Sequence, residues 1–148
     1  MTKYINKFST FFLMPEKIYL DTNIYLDYFE NRHDNIRPLG FFAYNLIRRC
    51  IEGKFKIVIS DWVVEEFGKV GNQCKIDDLI KTLKKQDSII IVKTNSQDLL
   101  KSKEYKNWTD ALHIILAIKA GADYFVTRNT KDFLNFQNSI NIVLPENI

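Results

Sequence analysis

Short unbroken apolar runs alternate along the chain with longer segments whose apolar residues recur at helical spacing. Residues 17–20 (KIYL) predict a first buried strand, with Asp21 at its end. In Thr22–Glu30, Ile24, Tyr25, Tyr28 and Phe29 fall at helical spacing. Residues 31–37 are a polar loop. Pro38 suits the first turn of a second helix, which runs to Ile51 and stops at Gly53. Residues 55–59 (FKIVI) predict a second strand. Ser60 or Asp61 then caps a helix over 62–70 that ends near Gly71. Residues 77–85 form another amphipathic helix, 88–92 (SIIIV) a third strand and 96–105 a further helix. Residues 109–120 (TDALHIILAIKA) are helical and apolar nearly all round, which buries that helix deeply; Gly121 caps it. Residues 123–127 predict a fourth strand, 131–135 a short helix and 140–144 a last strand.

Strands that read as continuous apolar runs, separated by helices, are parallel strands covered on both faces. The expected fold is a three-layer α/β/α sandwich around a mostly parallel sheet. No internal repeat or linker interrupts the pattern. The length, 148 residues, suits one domain, expected over 15–148 after an N-terminal extension, 1–14. In that extension Lys3, Lys7 and the run 8–14 faintly resemble a signal peptide. The run is short, broken by Ser9 and Thr10, and no small-residue cleavage site follows; Met14 is an alternative start. With 46% hydrophobic and 26% charged residues, disorder and low-complexity classes are excluded. A net charge of +3 permits a nucleic-acid partner without arguing for one. The two cysteines, Cys50 and Cys74, lie far apart, which disfavours zinc and disulfide scaffolds and fits a reducing, cytoplasmic setting. The longest apolar stretch falls short of the roughly 18 residues a membrane helix needs, so no membrane partner is expected.

In parallel α/β sheets ligands bind at the carboxyl ends of the strands. Four acids are expected there: Asp21 after the first strand, Glu66 in the helix after the second, Asp110 opening the buried helix, and Asp132 after the fourth strand. Gathered carboxylates repel and raise one another's pKa, and a divalent cation removes that penalty. All-oxygen donors suit Mg²⁺ or Mn²⁺ rather than zinc. The chemistry such a cluster implies is metal-assisted hydrolysis of a phosphodiester. Each acid also has a plainer reading: Asp21 as a helix cap, Glu66 as a solvated residue in competition with Glu65, Asp110 as a partner of the helix dipole, and Asp132 as a surface acid.

These segments resemble a known family. IYLDTNIYLDYF is similar to the opening of a PIN domain, a strand ending in Asp-Thr-Asn. ISDWVVEEF resembles its second motif, in which a Ser precedes the metal-binding Glu by six residues; that spacing selects Glu66. WTDALHIILAIKAGADYFVTRNTKDF resembles the third and fourth motifs together. The resemblance runs from Lys17 to Leu144 and implies a Mg²⁺- or Mn²⁺-dependent ribonuclease acting on RNA. It is similar to VapC-type toxins, which implies a homodimer and a cognate antitoxin protein as partner. Carried over, Asp21 and Asp110 are direct metal ligands, and Glu66 holds the metal directly or through water. Many members carry a further acid where this chain has Asn129, so Asp132 is the candidate for the missing charge. Thr127 and Asn129 are expected to position water or phosphate, and Asn23 to steady Asp21.

Among basic residues, Arg128 and Lys131 flank the acids in sequence and are the leading candidates for RNA contact, ahead of Arg32 and Arg37. Trp62 and Trp108 are candidates for base stacking, with core packing or a dimer contact as the plainer use. His113, one turn beyond Asp110, is expected to be a packed core or edge histidine. A haloacid-dehalogenase-type phosphatase needs a second Asp where Asn23 stands, and a receiver domain needs an acidic pair and a late Lys that are missing here. The rival of a different class is a degenerate PIN domain that binds RNA or protein without cutting it; Asn129 favours it, and intact Asp21, Glu66 and Asp110 oppose it.

Overall fold

The computed structural model describes residues 14–70 and 73–148. The proposed extension 1–14 and the stop at Gly71 therefore lie almost wholly outside the described residues. Among these, five strands form one parallel sheet: β1 (Glu16–Leu20), β2 (Phe55–Ser60), β3 (Ile89–Val92), β4 (Tyr124–Val126) and β5 (Asn141–Val143). Their spatial order is β3-β2-β1-β4-β5. The apolar runs form strands because both faces of the central strands are covered. Ile18, Tyr19, Leu20, Ile57, Val58, Phe125 and Val126 have no exposed surface. Full burial of an aliphatic side chain of this size contributes about 1.5–3 kcal/mol.

Among the described residues, six α-helices connect the strands: α1 (Thr22–Glu30), α2 (Leu39–Ile51), α3 (Asp61–Val70), α4 (Gln73–Lys85), α5 (Ser96–Ser102) and α6 (Trp108–Lys119). Right-handed crossovers place α1–α4 on one face and α5 and α6 on the other. The packing agrees: α1 rests on α2 and α3, α3 on α4, and α5 on α6. This is the expected three-layer α/β/α sandwich.

Several boundaries differ from the sequence reading. α4 begins at Gln73, a turn before residue 77, because Ile76 starts its buried stripe with Leu79 and Leu83. α5 ends at Ser102, short of residue 105, where the Ser102 hydroxyl donates to the Leu99 carbonyl and the chain passes into turns. α6 begins at Trp108. The expected helix at 131–135 is a 3₁₀ segment, Thr130–Phe136, which turns Phe133 and Phe136 into the core. Phe133 packs on Phe125, and Phe125 stacks on Tyr19, at ring-centroid distances of 4.6 and 5.4 Å.

The strand order reverses beside β1. The chain moves outward from β1 to β2 and β3, then returns to β4 on the other side. The crevice between the carboxyl ends of β1 and β4 is thus a topological switch point, where ligands bind in open α/β sheets. Asp21 and Thr127 border it. The Asp21 amide donates to the Val126 carbonyl at 2.9 Å, which extends the β1–β4 pairing to this point.

Candidate active site

Asp21 leaves β1 in extended geometry and caps α1. Its Oδ1 accepts from the Thr22 amide at 2.8 Å, and its Oδ2 from the Thr127 hydroxyl at 2.8 Å. The capping role and the site position therefore coincide. Burial pushes the carboxyl's pKa up, and the nearby Glu66 charge adds to this. His113 and the two hydrogen bonds oppose the rise without cancelling it.

Glu66 projects from α3 towards Asp21, whereas Glu65 points outward to Lys69. Glu66 Oε1 accepts from the Thr22 hydroxyl at 2.9 Å and from His113 Nε2 at 2.5 Å. Burial works against its charge, but the His113 contact and the Thr22 hydrogen bond hold the carboxyl below its ordinary range. His113 is 2% exposed, and its Nδ1 lies 2.8 Å from the Tyr19 hydroxyl, which in turn lies 2.7 Å from Ser60 Oγ. An ionised Glu66 only accepts, so Nε2 donates. Nδ1 pairs with the Tyr19 hydroxyl, which burial keeps protonated. Ser60 closes the chain by accepting from the Val63 amide at 3.1 Å. The core reading of His113 is incomplete: the ring is buried and also faces the acids. Its position one helical turn after Asp110 was the only sequence signal. Thr22 and Ser60 stood in the first and second motifs, but their contacts here, and any part for Tyr19, gave no sequence signal, because the partners lie 41 to 94 residues away.

Asp110, in the first turn of α6, lines the same cleft of about 590 Å³ as Asp21, Asn23, Glu66, His113 and Asn129. Asn107 Nδ2 donates to its Oδ2 at 2.5 Å. Burial and the charges of Asp21, Asp132 and Glu66 push its pKa up to about 6, against a lowering effect of His113. Asp132 is set apart: it is exposed and borders a neighbouring hollow with Asp110 and Asn107, not the cleft of Asp21 and Glu66. The 3₁₀ turn places it there, because its amide folds back to the Asn129 carbonyl at 3.0 Å.

Thr127 is buried and holds Asp21, while its Oγ1 also accepts from the Asn129 amide at 3.1 Å. The Asn23 Oδ1 faces the Arg128 amide at 3.5 Å. Arg128 is not placed as an open RNA contact. Its side chain is 9% exposed, with Nη1 on Glu146 at 2.5 Å and Nε on Asp27 at 3.4 Å. The buried carboxylate of Asp27 draws it inward. Lys131 is exposed. Arg32 and Arg37 border a separate polar hollow with Asn23 and Asn129, and are engaged by Glu30 and Asp34 respectively.

A parallel sheet with an acidic cleft at its switch point defines the class of a PIN-like α/β protein. The PIN domain family profile matches residues 17–131, and the chain belongs to that family, whose members are generally nucleases. Its fold is similar to that of VapBC-1 from nontypeable Haemophilus influenzae, with a TM-score of 0.53 and 17% identity over 87% of this chain and 98% of that one. Among curated proteins none matches the chain significantly. No described helix is long and apolar enough to cross a membrane.

PIN nucleases typically use divalent metals, and the donor set here fits such an ion by type. Asp21, Glu66 and Asp110 supply hard oxygen donors at one cleft, and the raised pKa of Asp110 reflects a charge that lacks compensation. Among the described residues, no three acidic, His or Cys side chains stand close enough together to hold one ion as they are. All three acids are engaged within the protein, Asp21 by Thr22 and Thr127, Glu66 by His113 and Asp110 by Asn107.

Proposed function

We propose that this protein is a Mg²⁺- or Mn²⁺-dependent endoribonuclease and the toxin of a toxin–antitoxin pair. The observation that carries the reading is the meeting of Asp21, Glu66 and Asp110 in one cleft at the switch point, with Asp110 pushed up to about 6. Asp21, fixed by Thr22 and Thr127, is the rigid ligand. Asp110 would be the second ligand, and Glu66, held by His113, would be a further oxygen donor to the ion. Asp132 adds negative charge from the rim in place of the acid that Asn129 replaces, while Thr127 and Asn129 order water or the scissile phosphate. A bound ion would lower the pKa of water and neutralise charge on the phosphate. His113, paired at both ring nitrogens, positions Glu66 at the cleft.

The likeness to VapBC-1 supports an antitoxin protein as partner. A homodimer, a cytoplasmic setting and a single PIN domain over 15–148 complete the proposal. The test is cleavage of a mixed RNA pool with Mn²⁺, with EDTA, and with Asp21→Asn or Asp110→Asn protein. Cleavage that vanishes in all controls is expected. A second reading, an RNA- or protein-binding PIN domain without catalysis, is favoured by Asn129 and by the internal engagement of Glu66 and Asp110. Folded protein that binds Mn²⁺ yet leaves every RNA intact supports it instead.

A further inference from the structure

The face of α3 that presents Glu66 to the cleft also carries Trp62, one turn before it, and Lys69 and Val70, one turn after it. All four line the cleft. Trp62 packs on Trp108 and the core, with ring centroids 5.6 Å apart, and forms part of the wall. Among the described residues that line the cleft, Lys69 is the one lysine or arginine. Other basic residues of this region are committed elsewhere. Arg128 is tied to Asp27 and Glu146, Arg32 to Glu30, and Arg37 to Asp34. Lys103 Nζ is seated on the Trp108 ring, 3.7 Å from its centre. Lys69 is held only loosely: its Nζ lies 3.7 Å from Glu65 Oε1, and the two side chains are 67% and 59% exposed. An exposed pair of that kind contributes little, so the ammonium can exchange it for another anion. Burial opposes the Glu66 charge, His113 and Thr22 hold it, and the Lys69 charge adds to them.

We infer that Lys69 binds the backbone phosphate of the RNA that neighbours the scissile one. The inference rests on the nuclease reading above and adds a substrate contact to it. Three carboxylates at one cleft repel a polyanion, and a divalent ion would offset two of their three charges. Lys69 supplies the third positive charge, so the strand meets a balanced cleft rather than an acidic one. It lies three residues after Glu66, about 4.5 Å along the helix axis, towards the exposed end of α3. That displacement puts it at a neighbouring phosphate, not at the one beside the ion. Such a contact is the same in the ground state and the transition state, so its loss raises KM and leaves kcat nearly unchanged.

The experiment titrates Asp21→Asn protein, with Mn²⁺, into a short labelled single-stranded RNA and reads polarisation from about 50 to about 200 mM KCl. In that background Lys69→Ala should weaken binding about 3- to 5-fold at the low-salt end. It should also flatten the slope of log K against log[KCl] by about 0.7, the share of one phosphate contact on a single strand. Lys69→Arg keeps the charge and should keep the slope. Lys81→Ala, which removes an exposed lysine on α4, should change neither quantity. In otherwise wild-type protein, Lys69→Ala should raise KM and spare kcat. A Lys69→Ala slope equal to its parent's, or a flattening matched by Lys81→Ala, overturns the contact, while cleavage by wild-type protein leaves the nuclease reading standing. A fall in kcat with KM unchanged overturns the assignment to the neighbouring phosphate. A flattened slope with every RNA left intact by wild-type protein keeps the phosphate contact and moves the protein to the binding-only reading. Absence of both RNA binding and wild-type cleavage overturns the two together.

Discussion

At the scale of single residues, Asp110 shows what the site costs the fold. Its pKa is pushed up to about 6, mainly by burial and by Asp21. A folded-state pKa above the unfolded value means that the protonated form is the better fit. The stability this contributes is full below the unfolded value near 3.8 and is lost as pH rises through about 6. In EDTA the melting temperature should therefore fall across that window. Asp110→Asn removes the penalty and should raise the melting temperature at pH 7 by about 2–4 °C, with no gain at pH 3.5. The side chain is partly exposed, so solvent screening keeps the effect near about 1 kcal/mol. Mn²⁺ should restore the wild type at pH 7 and leave the Asn variant unmoved. Parallel melting curves for the two proteins at every pH would show that Asp110 carries no uncompensated charge. The acid was legible in the sequence because it opens an otherwise apolar helix. Its neighbour His113 was only half legible, because helical spacing places it on Asp110's side but says nothing of Glu66, 47 residues away.

At the scale of elements, Ser60 joins the sheet to α3 and the core to the cleft. It ends β2, is fully buried, accepts from the Val63 amide at 3.1 Å and touches the Tyr19 hydroxyl at 2.7 Å. Ser60→Ala removes a helix cap and leaves the Tyr19 hydroxyl with one partner fewer; a loss of about 1–3 kcal/mol in urea unfolding is expected. His113→Ala breaks the same chain at its other end, freeing Glu66 and Tyr19. It should lower both stability and cleavage, whereas His113→Asn, which keeps a donor and an acceptor, should recover part of each. A His113→Ala protein with wild-type cleavage would remove the ring from the site. The elements themselves were largely legible, because parallel strands buried on both faces read as unbroken runs and α2 and α6 carry long apolar faces. The segment Thr130–Phe136 was legible as a short helix but not as a 3₁₀ one. Its turn is set by Phe133 seeking Phe125, a contact that spacing within the segment does not reveal.

At the scale of the whole molecule, the sequence fixes neither strand order nor what closes the sheet's far side, since both depend on which apolar faces meet. The order β3-β2-β1-β4-β5 places Thr127 beside Asp21, and this leaves Arg128 where the C-terminal residues return. Arg128, expected to meet RNA, instead ties three parts of the chain: Asp27 on α1, the segment after β4, and Glu146 near the C-terminus. Arg49 on α2 adds a second tie, donating from both terminal nitrogens to the Ile148 carbonyl at 2.8 and 3.0 Å. Asp27 is 2% exposed, so removing Arg128 leaves its buried charge with only the more distant Arg32, 3.9 Å away. Arg128→Ala should then cost about 3–5 kcal/mol, well beyond what a surface RNA contact would lose. Arg128→Lys should recover only part of this, because one ammonium does not span Asp27 and Glu146 as the planar fork does. Asp27→Asn in the Arg128→Ala background should regain stability, since the stranded charge is gone. A loss below about 1 kcal/mol in Arg128→Ala, within the range of an exposed ion pair, would return this arginine to the RNA-facing surface.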